Sequence, residues 1–182
     1  MTITSEERIM DAAAMKRALQ RMSHEILDRN NGPERLALVG LQTRGVFLAR
    51  RMAEIIGAIE NTTIPVGILD VTMYRDDYRS VMKQPMVKVT SISFEVQGIT
   101  VVLVDDVFFT GRTVRGALDA IMDFGRPGRV ELAVLIDRGR RELPLIADYV
   151  GKQVTTQVDE EVRVRMAEGD GVDEVTLVKL SR

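Results

Sequence analysis

The stretch Val101-Val102-Leu103-Val104-Asp105-Asp106-Val107-Phe108-Phe109-Thr110-Gly111-Arg112-Thr113 decides how this chain is read. Its first four residues form a short apolar run bounded by polar residues, the pattern of a strand buried on both faces. Asp105 and Asp106 are expected to emerge at the strand's end. Thr110-Gly111-Arg112-Thr113 reads as a turn that opens a helix from about residue 113 to 124. Each part suits one ligand. Gly111 permits positive φ and a close backbone approach. The unpaired N–H groups of the turn and of the first helical residues, together with the helix dipole, favour an anion such as a phosphate monoester. The hydroxyls of Thr110 and Thr113 add donors. The two carboxylates are placed to accept hydrogen bonds from a vicinal diol. Phosphate and diol together imply a ribose 5-phosphate. An acidic pair at a sheet rim, or a Thr-Gly helix cap, is ordinary by itself; the pairing of the two carries the reading. No Gly-x-x-x-x-Gly-Lys-Ser/Thr motif and no dinucleotide fingerprint occurs.

Outward from this stretch, strands and helices alternate. Residues 11–29 carry Met15, Leu19, Met22 and Ile26 at helical spacing, with Arg17, Arg21, His24 and Asp28 on another face. Asn30-Asn31-Gly32-Pro33 ends that helix. Residues 36–41 read as a strand and 46–59 as a helix. Residues 64–71 read as a strand extended towards Tyr74. Residues 75–93 show no clean period and read as a long surface loop with a hairpin near 87–92, in keeping with a lid. A strand over 129–136, a charged loop over 137–144 and a β-hairpin formed by 162–166 and 175–180 complete the chain. The pattern predicts one α/β domain spanning 1–182, with a mainly parallel sheet flanked by helices, a small hood and a C-terminal β-hairpin. Ligands of such sheets bind beyond the C-terminal strand ends. That rule places Thr43-Arg44-Gly45, the residues from 70 to 75, those from 105 to 113, and Asp137-Arg138 along one rim.

Composition narrows the chemistry. The 182 residues are 45% hydrophobic, enough for a sizeable core, and the net charge is −2. With a pI of about 5.6, a protein that only coats nucleic acid is an unsuitable reading, although a local basic face is compatible. Without cysteine there is no disulfide, thiolate nucleophile or cysteine-bound zinc, and the single histidine, His24, leaves little for a triad. A hard cation held by carboxylate and phosphate is compatible. The N-terminus has no signal-peptide pattern and no apolar run reaches membrane length, so a soluble, cytoplasmic protein without membrane association is expected.

The central stretch closely resembles the 5-phosphoribosyl pyrophosphate (PRPP) motif of type I phosphoribosyltransferases. Thr43-Arg44-Gly45 is similar to that family's pyrophosphate loop. Asp70-Val71-Thr72-Met73-Tyr74-Arg75-Asp76-Asp77 looks like the start of its catalytic loop. Asp137-Arg138-Gly139-Arg140-Arg141-Glu142-Leu143-Pro144 and Ala147-Asp148-Tyr149-Val150-Gly151-Lys152 resemble one subfamily, the bifunctional pyrimidine operon attenuation regulators and uracil phosphoribosyltransferases, or PyrR proteins. The resemblance implies uracil and PRPP giving UMP and pyrophosphate. It implies magnesium held mainly by PRPP, with no metal site of the protein's own, and a dimer or larger homo-oligomer. Arg75, Asp105 and Asp106 take the catalytic roles. Thr43, Arg44, Gly45 and the segment from Val101 to Thr113 bind PRPP or nucleotide. Arg138, Tyr149, Val150 and Val162 frame the base.

The subfamily's regulatory half implies binding to the leader RNA of a pyrimidine operon, in response to UMP. The candidates are Arg17, Arg21, His24, Arg140, Arg141, Lys152 and Thr156, residue types suited to phosphates and loop bases. The sequence departs from the subfamily at Arg140 (usually histidine), at Ile146 (often arginine), over Gln153 to Gln157, and after Asp77. These departures cluster in the basic face and the lid. Two alternatives stand beside the main reading: a purine-base phosphoribosyltransferase, and an RNA-binding attenuator with vestigial catalysis.

Overall fold

The computed structural model describes residues 2–74 and 89–181. The elements run β1 (Thr2–Met10), α1 (Ala12–Asn30), β2 (Leu36–Leu41), α2 (Arg44–Glu60), β3 (Val66–Leu69), a 3₁₀ turn (Thr72–Tyr74), β4 (Thr100–Phe108), α3 (Arg112–Met122), β5 (Arg129–Asp137), β6 (Tyr149–Gln153), β7 (Glu160–Arg165), α4 (Ala167–Asp170) and β8 (Glu174–Ser181).

β2, β4 and β5 are largely buried because each is built on an apolar run, residues 36–41, 101–104 and 132–136, as a sheet covered on both faces requires. They form the centre of a five-stranded parallel sheet in the order β3-β2-β4-β5-β6, with Leu38 opposite Val102 and Leu103 opposite Leu132. One face packs on α1 and α2 through Met15, Met22, Ile26, Leu48, Met52 and Ile56. The other packs on α3 through Val114, Ala117 and Ile121. α1 starts at Asp11, whose carboxylate accepts the Ala14 N–H at 2.7 Å, and stops at Asn31 in the left-handed region.

The chain runs from β2 outward to β3, then returns to lay β4 on β2's other side. The strand order therefore reverses between β2 and β4, and the crevice at their C-terminal ends is where such sheets take ligands.

A second sheet, β1-β8-β7, is antiparallel and forms the hood. It contains the expected C-terminal hairpin, with α4 at its turn, and also β1. α2 holds this turn: Arg51 pairs with Glu168 at 2.7 Å and Asp173 at 2.8 Å.

Two strands differ from expectation and one is additional. The strand expected over 64–71 is confined to Val66–Leu69 and is followed by a 3₁₀ turn rather than running on towards Tyr74. β4 continues through Asp105 and Asp106 to Phe108, because the ladder to β5 persists as far as Phe108 opposite Asp137. β6 is an additional edge strand within the segment after residue 144. Of the expected loop and hairpin, residues 75–88 lie outside the described residues; Ser91 forms an antiparallel bridge to Ile68. Among the described residues no helix is long and apolar enough to cross a membrane.

Candidate active site

The β4–α3 connection has the expected form. Gly111 has φ +94° and is the residue before α3, so the helix opens from a left-handed residue with its N-terminal amides facing the crevice. The Arg112 N–H lies 3.4 Å from Thr110 Oγ1. Asp105 is buried and its Oδ1 accepts the Asp106 N–H at 2.9 Å. Asp106 is half-buried and its Oδ1 accepts the Val107 N–H at 3.0 Å. Asp106 is therefore the more accessible of the two carboxylates.

Across the crevice, Thr43 precedes α2 and Arg44 and Gly45 are its first residues. The Gln42–Thr43 peptide is cis. Gly45 packs so closely on β4 that a Cβ there would lie 2.3 Å from the Val104 carbonyl oxygen. That contact seats the first turn of α2 directly on β4. Arg44 reaches the hood, where its Nη2 lies 3.0 Å from Asp170 Oδ1. Asp70 is buried at the end of β3 and accepts the Thr72 N–H at 3.0 Å. Arg75 lies outside the described residues.

Next to this crevice, beyond β5 and β6, is a cavity of about 450 Å³, within the range of small-molecule sites. It is lined by Asp137–Arg140 and Gln153–Gln157. Arg138 is the buried cation here. Its guanidinium carbon lies 4.0 Å from the centre of the Phe109 ring. Nε donates to Thr156 Oγ1 at 3.1 Å and Nη2 to the Glu160 carbonyl at 2.8 Å. Burial, and then the nearby Arg140 charge, lower its pKa. The Phe109 ring is exposed at the lip between cavity and crevice. A flat heterocycle placed there meets an aromatic face and a fixed cation.

Several candidate residues occupy other positions. Tyr149 is buried at the start of β6, away from the rim. Its hydroxyl donates to Glu131 at 2.7 Å, and burial, followed by this bond, raises its pKa. Tyr149 is a core residue here, because β6 begins with it and reaches the rim only at Gln153. The Val162 side chain packs in the core and its main chain pairs with Leu177. Val150 is half-buried, and its carbonyl accepts from Arg21.

Among the candidates for RNA, Arg17, Arg21, His24, Arg140 and Lys152 are exposed. Arg21 also donates to the carbonyls of Val150 at 2.9 Å and Gly151 at 2.8 Å, and Lys152 to that of Ile9 at 2.7 Å. These bonds gather Arg21 and Lys152 where α1 meets β6. Thr156 is buried inside the cavity and Arg141 is turned inward. Neither side chain belongs to an open surface. The cavity liners Gln153, Val154, Thr155 and Gln157 carry no local signal of a site, because β6, which brings the chain to the rim at Gln153, has too short and mixed a pattern to announce a strand.

The chain matches the family model for the phosphoribosyl transferase domain over residues 5–167. It is 56% identical over 172 residues to a "Bifunctional protein PyrR" of Pelotomaculum thermopropionicum, covering 94% of this chain and 95% of that one. It is 55% identical over 175 residues to the protein of the same name from Chloroflexus aurantiacus, covering 96% of each. In fold it is similar to the crystal structure of a hypoxanthine-guanine phosphoribosyltransferase from Bacillus anthracis, with a TM-score of 0.69, full coverage of both chains and 17% identity. The crevice between β2 and β4, the acidic strand end and the Gly111 turn thus lie in a chain that belongs to the phosphoribosyl transferase domain family and, within it, to the bifunctional PyrR proteins.

Proposed function

We propose that the chain, acting as one domain within a homo-oligomer, transfers the 5-phosphoribosyl group of PRPP to uracil, giving UMP and pyrophosphate. The observation that carries this is the joining of the β4–α3 connection to the Arg138 cavity: the Arg138 guanidinium lies 4.0 Å from the Phe109 ring centre and the Arg138 N–H donates to the Phe108 carbonyl at 3.1 Å. It sets a site for a phosphorylated sugar beside a site for a flat base. The α3 N-terminus, with Thr110 and Thr113, takes the 5-phosphate. Asp106, backed by Asp105, accepts from the ribose diol. Thr43, Arg44 and Gly45 receive the pyrophosphate, and Arg138 faces the base beside Phe109.

The C1′–oxygen bond to pyrophosphate breaks with oxocarbenium character, uracil N1 bonds to C1′, and the N1 proton is lost. The chemistry places the greatest demand on the leaving group, whose charge cationic side chains can neutralise. Among the described residues no three His, Cys, Asp or Glu side chains converge as a metal cage. The donor set of Asp105 and Asp106 with substrate oxygens fits magnesium, which usually takes one or two carboxylates plus phosphates. When bound, magnesium supplies further neutralisation of the pyrophosphate.

The regulatory activity rests on a smaller surface. We infer that Arg17, Arg21, His24 and Lys152 meet the leader RNA where α1 joins β6, with Arg140 at the cavity lip as the group closest to the bound nucleotide. UMP-enhanced, salt-dependent binding to a pyrimidine operon leader supports this reading; undetectable or salt-insensitive binding contradicts it, since phosphate contacts release counterions.

The catalytic reading is tested by incubating the protein with PRPP, magnesium and a panel of bases. UMP from uracil is expected. Product from hypoxanthine or guanine alone identifies a purine enzyme instead.

A further inference from the structure

On sequence grounds Arg141 belongs with the residues that face RNA; the structure gives it a different position. Its side chain is only 20% exposed, and its guanidinium carbon lies 3.3 Å from the Phe108 ring centre. Nη1 is 2.7 Å from the Phe109 carbonyl oxygen, 3.1 Å from that of Gly139 and 3.3 Å from that of Phe108. Nη2 is 2.6 Å from Asp137 Oδ1.

These acceptors stand at the ends of two neighbouring strands: Phe108 and Asp137 are the paired last residues of β4 and β5, and Phe109 and Gly139 lie in the loops that follow. Phe108 and Phe109 lead into the Thr110–Thr113 turn that receives the ribose 5-phosphate. Asp137 and Gly139 form the lip of the base cavity. Main-chain bonds join the same loops, with Arg138 N–H to the Phe108 carbonyl at 3.1 Å, and Glu142 and Leu143 N–H to the Thr110 carbonyl at 3.0 and 3.2 Å. Arg141 bridges both loops from within, alongside the more exposed Arg112–Glu142 ion pair at 2.7 Å and the Arg138–Phe109 contact. A planar guanidinium suits this task, because it presents several donors in a fixed fork on a charged group. A lysine in its place keeps the charge but offers a compact point of contact that cannot hold the fork geometry.

Resting on the phosphoribosyl-transfer reading, we propose that Arg141 is a positioning residue for that reaction: it fixes the distance between the sugar-phosphate loop and the base loop. The bond formed joins C1′ to the base nitrogen, and those two atoms are carried by the two loops Arg141 bridges. A displacement of about 1 Å in such a pairing costs on the order of 10²-fold in rate.

The test compares wild type, Arg141→Lys and Arg141→Ala in steady-state turnover of PRPP and uracil, with melting temperature and pyrophosphate binding measured alongside. Wild-type turnover establishes the underlying reading, and its absence overturns that reading and this assignment together. In Arg141→Lys, kcat/KM is expected to fall about 10²-fold for both substrates. Pyrophosphate binding, which belongs to the loop before α2, should stay within twofold and the protein should remain folded. Low millimolar guanidinium should partly restore Arg141→Ala and leave wild type unchanged; if that variant does not fold, Arg141→Lys carries the test. Wild-type kcat/KM in Arg141→Lys overturns the proposal. So does a loss that tracks melting temperature and pyrophosphate binding equally, or a defect confined to RNA binding.

Discussion

Arg44, the first residue of α2, and Asp170, the last of α4, are joined by a forked ion pair, with Nη2 3.0 Å from Oδ1 and Nε 3.3 Å from Oδ2. The cation assigned to pyrophosphate is thus tied to the hood. Arg51, two turns along the same helix, grips Glu168 and Asp173. Two arginines on one face of α2 therefore fix the hood's turn at the edge of the crevice.

This pairing predicts an acid limb of stability. The Asp170 carboxyl is held below its ordinary value of 3.8 by the Met166 N–H and then by Arg44. Asp173 is held below it by Arg51. The folded chain then binds fewer protons than the unfolded one, so the contribution is fully present above the ordinary carboxylate range. It fades as pH falls through the lowered values. Asp173→Asn should melt below wild type at pH 7, and the gap should narrow below about pH 4. A gap constant from pH 7 to pH 3 contradicts the assignment.

Asp106→Asn should separate chemistry from folding. Asp106 is half-buried, and its carboxylate accepts the neighbouring Val107 N–H, a bond that an amide oxygen can also accept. Melting should shift little. Weakening of a charge-assisted bond to the ribose diol costs about 1.5–3 kcal/mol, or roughly ten- to hundredfold in kcat/KM for PRPP. An unchanged rate removes the diol assignment, and an unstable protein points to a structural role.

Gly45→Ala should be severe. The added methyl would sit 2.3 Å from the Val104 carbonyl oxygen, a contact that only backbone movement can relieve. Overpacking of this kind typically costs about 1–3 kcal/mol, and here the movement displaces Thr43 and Arg44. Pyrophosphate binding should weaken more than UMP binding. Equal effects on both ligands would show that the crevice does not divide in this way.

Tyr149→Phe tests the core role. Removing the hydroxyl leaves buried Glu131 without one partner while Asn30 remains at 2.9 Å. The cost should be about 1–3 kcal/mol of stability, with the KM for uracil unchanged. A raised KM at unchanged stability would return Tyr149 to the base site.

The parts of the fold that announce themselves in the sequence are those with strong apolar patterns. β2, β4 and β5 are built on continuous buried runs, and α1 has a clear stripe, so the parallel sheet and its binding rim follow from them. β1 has no such pattern: Thr2 to Arg8 are exposed, and the strand is held by main-chain pairing to β8, which side-chain periodicity does not reveal. β6 has five residues, with Gly151 in the middle and exposed Lys152 and Gln153 at its end, too little for an alternation to register. The motif loop was legible because its residue types carry their chemistry locally. The orientations of Arg141 and Thr156 were not, because each depends on a partner distant in the chain, Phe108 in one case and Arg138 in the other. A charged residue in a charged loop reads as solvated until the path of the chain is known.

In the proposed transfer reaction the β4–α3 crevice and the Arg138 cavity act together. The most direct test follows UMP and pyrophosphate simultaneously after uracil is added to protein, PRPP and magnesium. The two products are expected in equal amounts, rising together and only when uracil is present. No product above the protein-free blank, or pyrophosphate released without a nucleotide, would contradict it.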